Sequence, residues 1–164
     1  MDEVLVALAD AAATGRAGAA LARHVRPGDA IALIGELGAG KTALVAGLVS
    51  AFGGGPATSP TFSLINEYRG YWPAGGDAVV WHVDLYRLER PSELVELGLD
   101  EVLGDRRGIV LIEWADRFDV MPVDHLRIEL AHASPGRTVV ARGTGGRGVA
   151  LASAWTDDLL GSAR

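Results

Sequence analysis

Cysteine is absent from this chain of 164 residues. No disulfide can form, and no thiolate can hold a metal. That composition suits the cytoplasm, the location expected here, without demanding it. No apolar run is long enough to cross a bilayer, so no membrane contact is expected. The first residues lack a basic segment leading into an apolar one, so no secretory signal is expected. Positive charge is in short supply: 15 basic against 21 acidic side chains give a net charge of -6. Strong, independent binding to nucleic acid relies on a basic footprint and is not expected from such a balance. Lysine is nearly missing. It occurs once, at Lys41, although arginine recurs throughout.

What the chain does have is apolar substance, 49% of its residues, and a length suited to one domain with a real core. Residues 1–164 are therefore expected to form a single domain, with 143–164 a flexible link followed by a C-terminal helix. The lone lysine lies in Gly35-Glu36-Leu37-Gly38-Ala39-Gly40-Lys41-Thr42, which fits the phosphate-loop pattern G-x-x-x-x-G-K-[ST]. Before it runs Ala30-Ile31-Ala32-Leu33-Ile34, a buried-strand type of run, and after it Leu44, Leu48 and Phe52 recur at helical spacing. Strand, glycine loop and helix are the context that makes the pattern a phosphate site. The backbone N–H groups of Gly38, Ala39 and Gly40 can curl around phosphates, and the helix start adds unpaired N–H groups and a positive dipole end. In this pattern Lys41 reaches the outer phosphates and the Thr42 hydroxyl ligates magnesium.

The remaining chain reads as alternating strands and helices. Val4, Val6 and Leu8 alternate as a short strand, and Asp10 or Thr14 caps a helix running to about His24. Gly53-Gly54-Gly55-Pro56 stops the second helix. Thr58-Ser59-Pro60-Thr61-Phe62 then forms a loop where nucleotide hydrolases often sense the terminal phosphate; hydroxyls capping backbone groups explain it equally well. Ser63–Arg69 and Ala78–Val83 are expected as hairpin strands, followed by short helices over Glu93–Leu97 and Gly98–Leu103. Two strands end in a carboxylate. The second hairpin strand ends at Asp84, and Gly108–Ile112, the most apolar strand, ends at Glu113-Trp114. Asp84 and Glu113 both qualify for the metal and for the attacking water. Trp114 is read as packing. His82, His125 and His132 share no metal-ligand spacing and are read as structural. Leu126–Leu130 and Thr138–Ala141 are strands joined by a turn through Ser134–Arg137, and Gly143–Gly148 is the expected flexible link.

Taken together, several stretches resemble a known family. They are the loop Gly35–Thr42, Ser-Pro-Thr-Phe at Ser59–Phe62, His-Val-Asp-Leu-Tyr-Arg-Leu at His82–Leu88, Glu-Leu-Gly-Leu-Asp-Glu at Glu96–Glu101, and Ile-Glu-Trp at Ile112–Trp114. In this order and spacing the set resembles the TsaE family, bacterial ATPases of tRNA threonylcarbamoyladenosine biosynthesis. The resemblance implies an α/β P-loop fold, a mixed sheet with helices on both faces. It implies ATP and Mg²⁺ as ligands and the proteins TsaB and TsaD as partners, with tRNA engaged through that assembly. TsaD transfers the threonylcarbamoyl group, and hydrolysis of ATP by the TsaE-like subunit resets the assembly. By motif, Lys41 and Thr42 are the phosphate and magnesium residues, Glu113 the second magnesium residue, and Thr61 and Asp84 parts of switch-like segments. Arg137 and the segment from Asp10 to Thr14 fall where the family contacts the nucleotide. The chain departs from commoner family sequences after the tryptophan, with Ala115-Asp116-Arg117-Phe118, and Gly143–Gly148 matches no family motif. Two other functions use the same loop: a small-molecule kinase, which needs an arginine-rich lid not evident here, and a nucleotide-gated interaction module with negligible hydrolysis.

Overall fold

The computed structural model describes residues 3–162. In chain order its elements are β1 (Val4–Leu8), α1 (Ala11–Ala22), β2 (Ala30–Ile34), α2 (Lys41–Ala51), β3 (Ile65–Tyr71) and β4 (Asp77–Asp84). There follow α3 (Pro91–Leu97), α4 (Leu99–Leu103), β5 (Gly108–Glu113), a 3₁₀ turn (Ala115–Arg117), β6 (His125–His132), β7 (Arg137–Thr144) and α5 (Gly145–Gly161). The strands form one sheet in the order β1-β7-β6-β2-β5-β4-β3. The four central strands, β6, β2, β5 and β4, are mutually parallel. Antiparallel partners close both flanks: β7 and β1 on one side, β3 on the other. This is the mixed α/β sheet expected from the sequence.

The strand sequences follow their places. The β5 sequence Gly-Ile-Val-Leu-Ile-Glu is buried at every position, as a central parallel strand covered on both faces must be. The edge strand β3 instead mixes polar and apolar residues and stays half-exposed. One face of the sheet, with Ile31, Leu33, Val80, Leu111 and Ile128, packs under α1, α2 and α5. The other, with Ala32, Val83, Val110 and Ile112, packs under α3 and α4. Asp10 caps α1, its carboxylate accepting from the Ala13 N–H at 2.8 Å.

Helix α1 fixes where α2 begins. The two touch through small residues. A Cβ on Gly47 would lie 1.9 Å from the Gly15 carbonyl oxygen, and one on Gly18 would lie 2.0 Å from that of Leu44. Such an approach leaves no room for side chains, so the axis of α2, and with it the position of Lys41, is set by backbone contact.

One expectation is overturned. Gly143–Gly148 is not a flexible link: β7 runs through Thr144 and α5 starts at Gly145. The glycines there serve close packing. A Cβ on Gly143 would run into the Gly148 carbonyl, and one on Gly148 into that of His125. Arg147 pins this start by donating to Asp29 and to the His24 carbonyl. The first hairpin strand is also shifted, beginning at Ile65 and reaching Tyr71 rather than spanning Ser63–Arg69.

Candidate functional site

Three segments meet at the C-terminal ends of the parallel strands. The loop Gly35–Gly40 leaves β2 and hands the chain to α2, whose first residue is Lys41. Gly40 sits at the N-cap with φ 109°, a left-handed conformation that favours glycine, and no side chain caps the helix start. The amides at the start of α2 are thus left to a ligand. Beside the loop, β4 ends at Asp84 and β5 at Glu113, paired in register across the sheet. The Ser59–Thr61 segment closes the third side. Together Leu37, Gly38, Gly40, Lys41, Thr42, Ser59, Thr61, Asp84, Tyr86, Glu113 and Trp114 line a cavity of about 270 Å³.

Lys41 is nearly buried, 8% exposed. Its Nζ donates to the Gly35 carbonyl at 2.6 Å and stands 3.4 Å from Glu113 Oε1. It also lies 5.0 Å from the centroid of the Trp114 ring. The other carboxylate oxygen of Glu113 is 2.7 Å from His82 Nε2. Burial is the largest single influence on the Glu113 carboxyl and pushes its pKa up. The His82 hydrogen bond and the Lys41 cation together outweigh it and hold the group below its ordinary value. Asp84 faces the same cavity with a different tether: its Oδ1 accepts from the Tyr86 N–H at 2.9 Å. Its Oδ2 takes only a long contact, 3.4 Å, from the Thr61 hydroxyl, which is also 2.7 Å from that of Ser59.

Both strand ends are held in unusual backbone. Trp114, directly after Glu113, has φ 58°, and Leu64 has φ 67°. Leu64 accepts the Asp84 N–H at 2.9 Å, so this strained residue braces the carboxylate strand end. Left-handed backbone at non-glycine residues costs on the order of 1–3 kcal/mol and gathers at functional sites. Tyr86 leans on Trp114 with ring centroids 5.0 Å apart. The tryptophan therefore packs, as read from the sequence, and also forms a wall of the cavity.

The sequence-derived residues divide as follows. Gly38, Gly40, Lys41, Thr42, Thr61, Asp84 and Glu113 converge on the one cavity. Ala39 has its side chain buried and spends its N–H on the Glu36 carbonyl at 3.0 Å. Arg137, the first residue of β7, lies against the loop, with its guanidinium over the space a Gly40 side chain would fill. Thr14 is not brought to the cavity. It is 0% exposed, and its hydroxyl donates to the Asp10 carbonyl at 3.1 Å. Two arginines near these segments, Arg87 and Arg117, do not line the cavity; Arg87 covers the Phe62 ring at 4.4 Å. By sequence His82 and His132 read as structural and Tyr86 has no role; His82 holds Glu113, Tyr86 lines the cavity, and the His132 ring lies beside Gly38. The spacing of His82 and Asp84 could have revealed the first, since residues two apart on a strand share a face.

A confined cation, uncapped helix amides, two carboxylates and four hydroxyls form a donor set suited to a polyanion carrying a divalent cation. The family model described as "Threonylcarbamoyl adenosine biosynthesis protein TsaE" matches residues 8–139. The chain is 40% identical over 133 residues to the tRNA threonylcarbamoyladenosine biosynthesis protein TsaE of a Nostoc species, covering 79% of this chain and 78% of that one. It is 37% identical over 138 residues to the protein of that name from Mycobacterium tuberculosis, covering 79% and 80%. Among solved structures, the crystal structure of Bacillus subtilis YdiB superposes with a TM-score of 0.73 at 25% identity, over 99% of this chain and 97% of that one. With the family match spanning the loop, both carboxylate strand ends and the Arg137 hairpin, this chain belongs to the TsaE family.

Proposed function

We propose that this protein is a magnesium-dependent ATPase of tRNA threonylcarbamoyladenosine biosynthesis, working with TsaB and TsaD and meeting tRNA through that assembly. The observation that carries the reading is the meeting of Lys41, Thr42, Thr61, Asp84 and Glu113 in one cavity at an uncapped helix start.

The residues fit the ligands. The cavity, about 270 Å³, has room for a phosphate chain. The amides of Gly38 and Gly40 and of the first turn of α2 donate to phosphate oxygens. Lys41 exchanges the Gly35 carbonyl for the β- and γ-phosphates. Thr42, on the exposed side of α2, and Glu113 would hold Mg²⁺, which when bound offsets phosphate charge. Asp84 orients the attacking water, and Thr61, on its long 3.4 Å contact, reports the γ-phosphate. Arg137 steadies the phosphates from over Gly40. Phosphoryl transfer depends mainly on positioning and charge neutralisation, so this set is sufficient.

The experiment is phosphate release from ATP by the purified protein, alone and with TsaB and TsaD. Slow turnover alone and a marked acceleration in the complex are expected. Full-rate hydrolysis that the partners leave unchanged refutes the partner-dependent reading. A second reading, nucleotide-gated binding without hydrolysis, is favoured by one feature: among the described residues, no arginine lines the cavity. No phosphate release in the complex, with ATP still required for assembly, would establish it.

A further inference from the structure

His82 lies wholly inside the protein, 0% exposed. It stands on β4 two residues before Asp84, on the sheet face covered by α2. Its Nε2 is 2.7 Å from Glu113 Oε2, while Glu113 Oε1 faces Lys41. Its Nδ1 is the one buried side-chain nitrogen or oxygen among the described residues with no hydrogen-bond partner. The nearest polar side chain in register, Asn66 of β3, is committed elsewhere, its amide donating to the Thr58 carbonyl at 3.0 Å and the Tyr68 hydroxyl at 3.2 Å.

An ionised Glu113 can only accept, so Nε2 carries the hydrogen between them. With Nδ1 unpartnered, that bond is the ring's one polar tie. We infer that His82 is a positioning residue: an Nε2–H donor that clamps one oxygen of Glu113 and thereby aims the other at the metal and Lys41. The inference rests on the proposed function. Ligating carboxylates owe their orientation to such outer hydrogen bonds, and losing one typically costs about 10–100-fold in metal affinity or activity.

The test compares His82→Gln, whose terminal amide places an N–H near the Nε2 position, with His82→Asn, whose amide stops short, and His82→Leu, which has no donor. The readout is the Mg²⁺ concentration that half-saturates tight binding of a fluorescent ATP analogue. Affinity for the same analogue in excess EDTA is measured beside it, and Glu113→Gln serves as the control. Asn and Leu should raise the Mg²⁺ requirement roughly 10-fold or more, with EDTA affinity within about threefold, and Gln should recover most of the loss. Should the Leu variant fail to fold, the Asn and Gln pair alone decides. Asn and Gln variants that track each other overturn the inference. If Glu113→Gln raises the Mg²⁺ requirement and the His82 variants do not, the clamp alone is wrong. If Glu113→Gln leaves it unchanged, the site reading fails and the clamp with it.

Discussion

Lys41 rests in a socket made by the Gly35 carbonyl of its own loop and by Glu113, and the strength of that socket can be measured. Two unit charges 3.4 Å apart attract by about 5 kcal/mol at an effective dielectric constant of about 20. Both side chains are under a tenth exposed, so salt screens them little. Desolvation takes back several kcal/mol, and each partner has a second tie: Lys41 to the Gly35 carbonyl, Glu113 to His82. A net coupling of about 1–3 kcal/mol is the expected remainder. Urea unfolding of the nucleotide-free wild type, Lys41→Met, Glu113→Gln and the double variant measures it. Lys41→Met alone should lose about 3 kcal/mol, because it strands a buried carboxylate. Glu113→Gln should lose less, since the amide oxygen still accepts from His82 and Lys41 keeps its carbonyl. The double variant should then be more stable than the two losses summed. Losses that add to within about 0.5 kcal/mol would mean that the pair is not coupled, and the socket argument would fail.

Three other outcomes are expected. An amine-selective reagent, confined by composition to Lys41 and the N-terminus, should modify Lys41 slowly because it is 8% exposed, and saturating Mg-ATP should protect it further, as peptide mass mapping will show. Gly47→Ala should destabilise by about 1–3 kcal/mol and weaken ATP binding, because its new methyl meets the Gly15 carbonyl and displaces α2; thermal melting and a binding titration read both. Asp158 of α5 has its pKa lowered chiefly by hydrogen bonds from His24 and then Arg23, in the turn that follows α1. A depressed carboxylate stabilises the fold fully above its unfolded value, near pH ~4, and that stability is lost as pH falls through the folded value. Asp158→Asn should therefore flatten the decline of stability below about pH 4 in acid unfolding curves, and an unchanged slope would argue against the tie.

Much of the site was legible because its parts follow local rules. The loop pattern, its apolar strand and its helix fix Lys41 and Thr42 without reference to the remaining chain. Carboxylates at the ends of apolar strands mark Asp84 and Glu113, and the sheet then sets them side by side. What was hidden depends on contacts between distant segments. Thr14 reads as a helix-start hydroxyl free to meet a ligand, but the packing of α1 turns it inward to its own backbone. Gly143–Gly148 reads as a hinge, because composition does not distinguish a glycine that confers freedom from one that makes room for a neighbouring carbonyl. His82 reads as core, which it is; its importance lies in one oxygen on another strand.

Leu64 and Trp114 give the two carboxylates a shared property. A glycine would adopt their left-handed backbone without cost, yet one carries a branched and the other a bicyclic side chain. The fold thus keeps about 1–3 kcal/mol under tension at each carboxylate-bearing strand end. Strain of that size is a sizeable share of the few kcal/mol by which a domain is stable. It sits one residue from Glu113 and one hydrogen bond from Asp84, so whatever the cavity binds meets carboxylates whose footing is already under load.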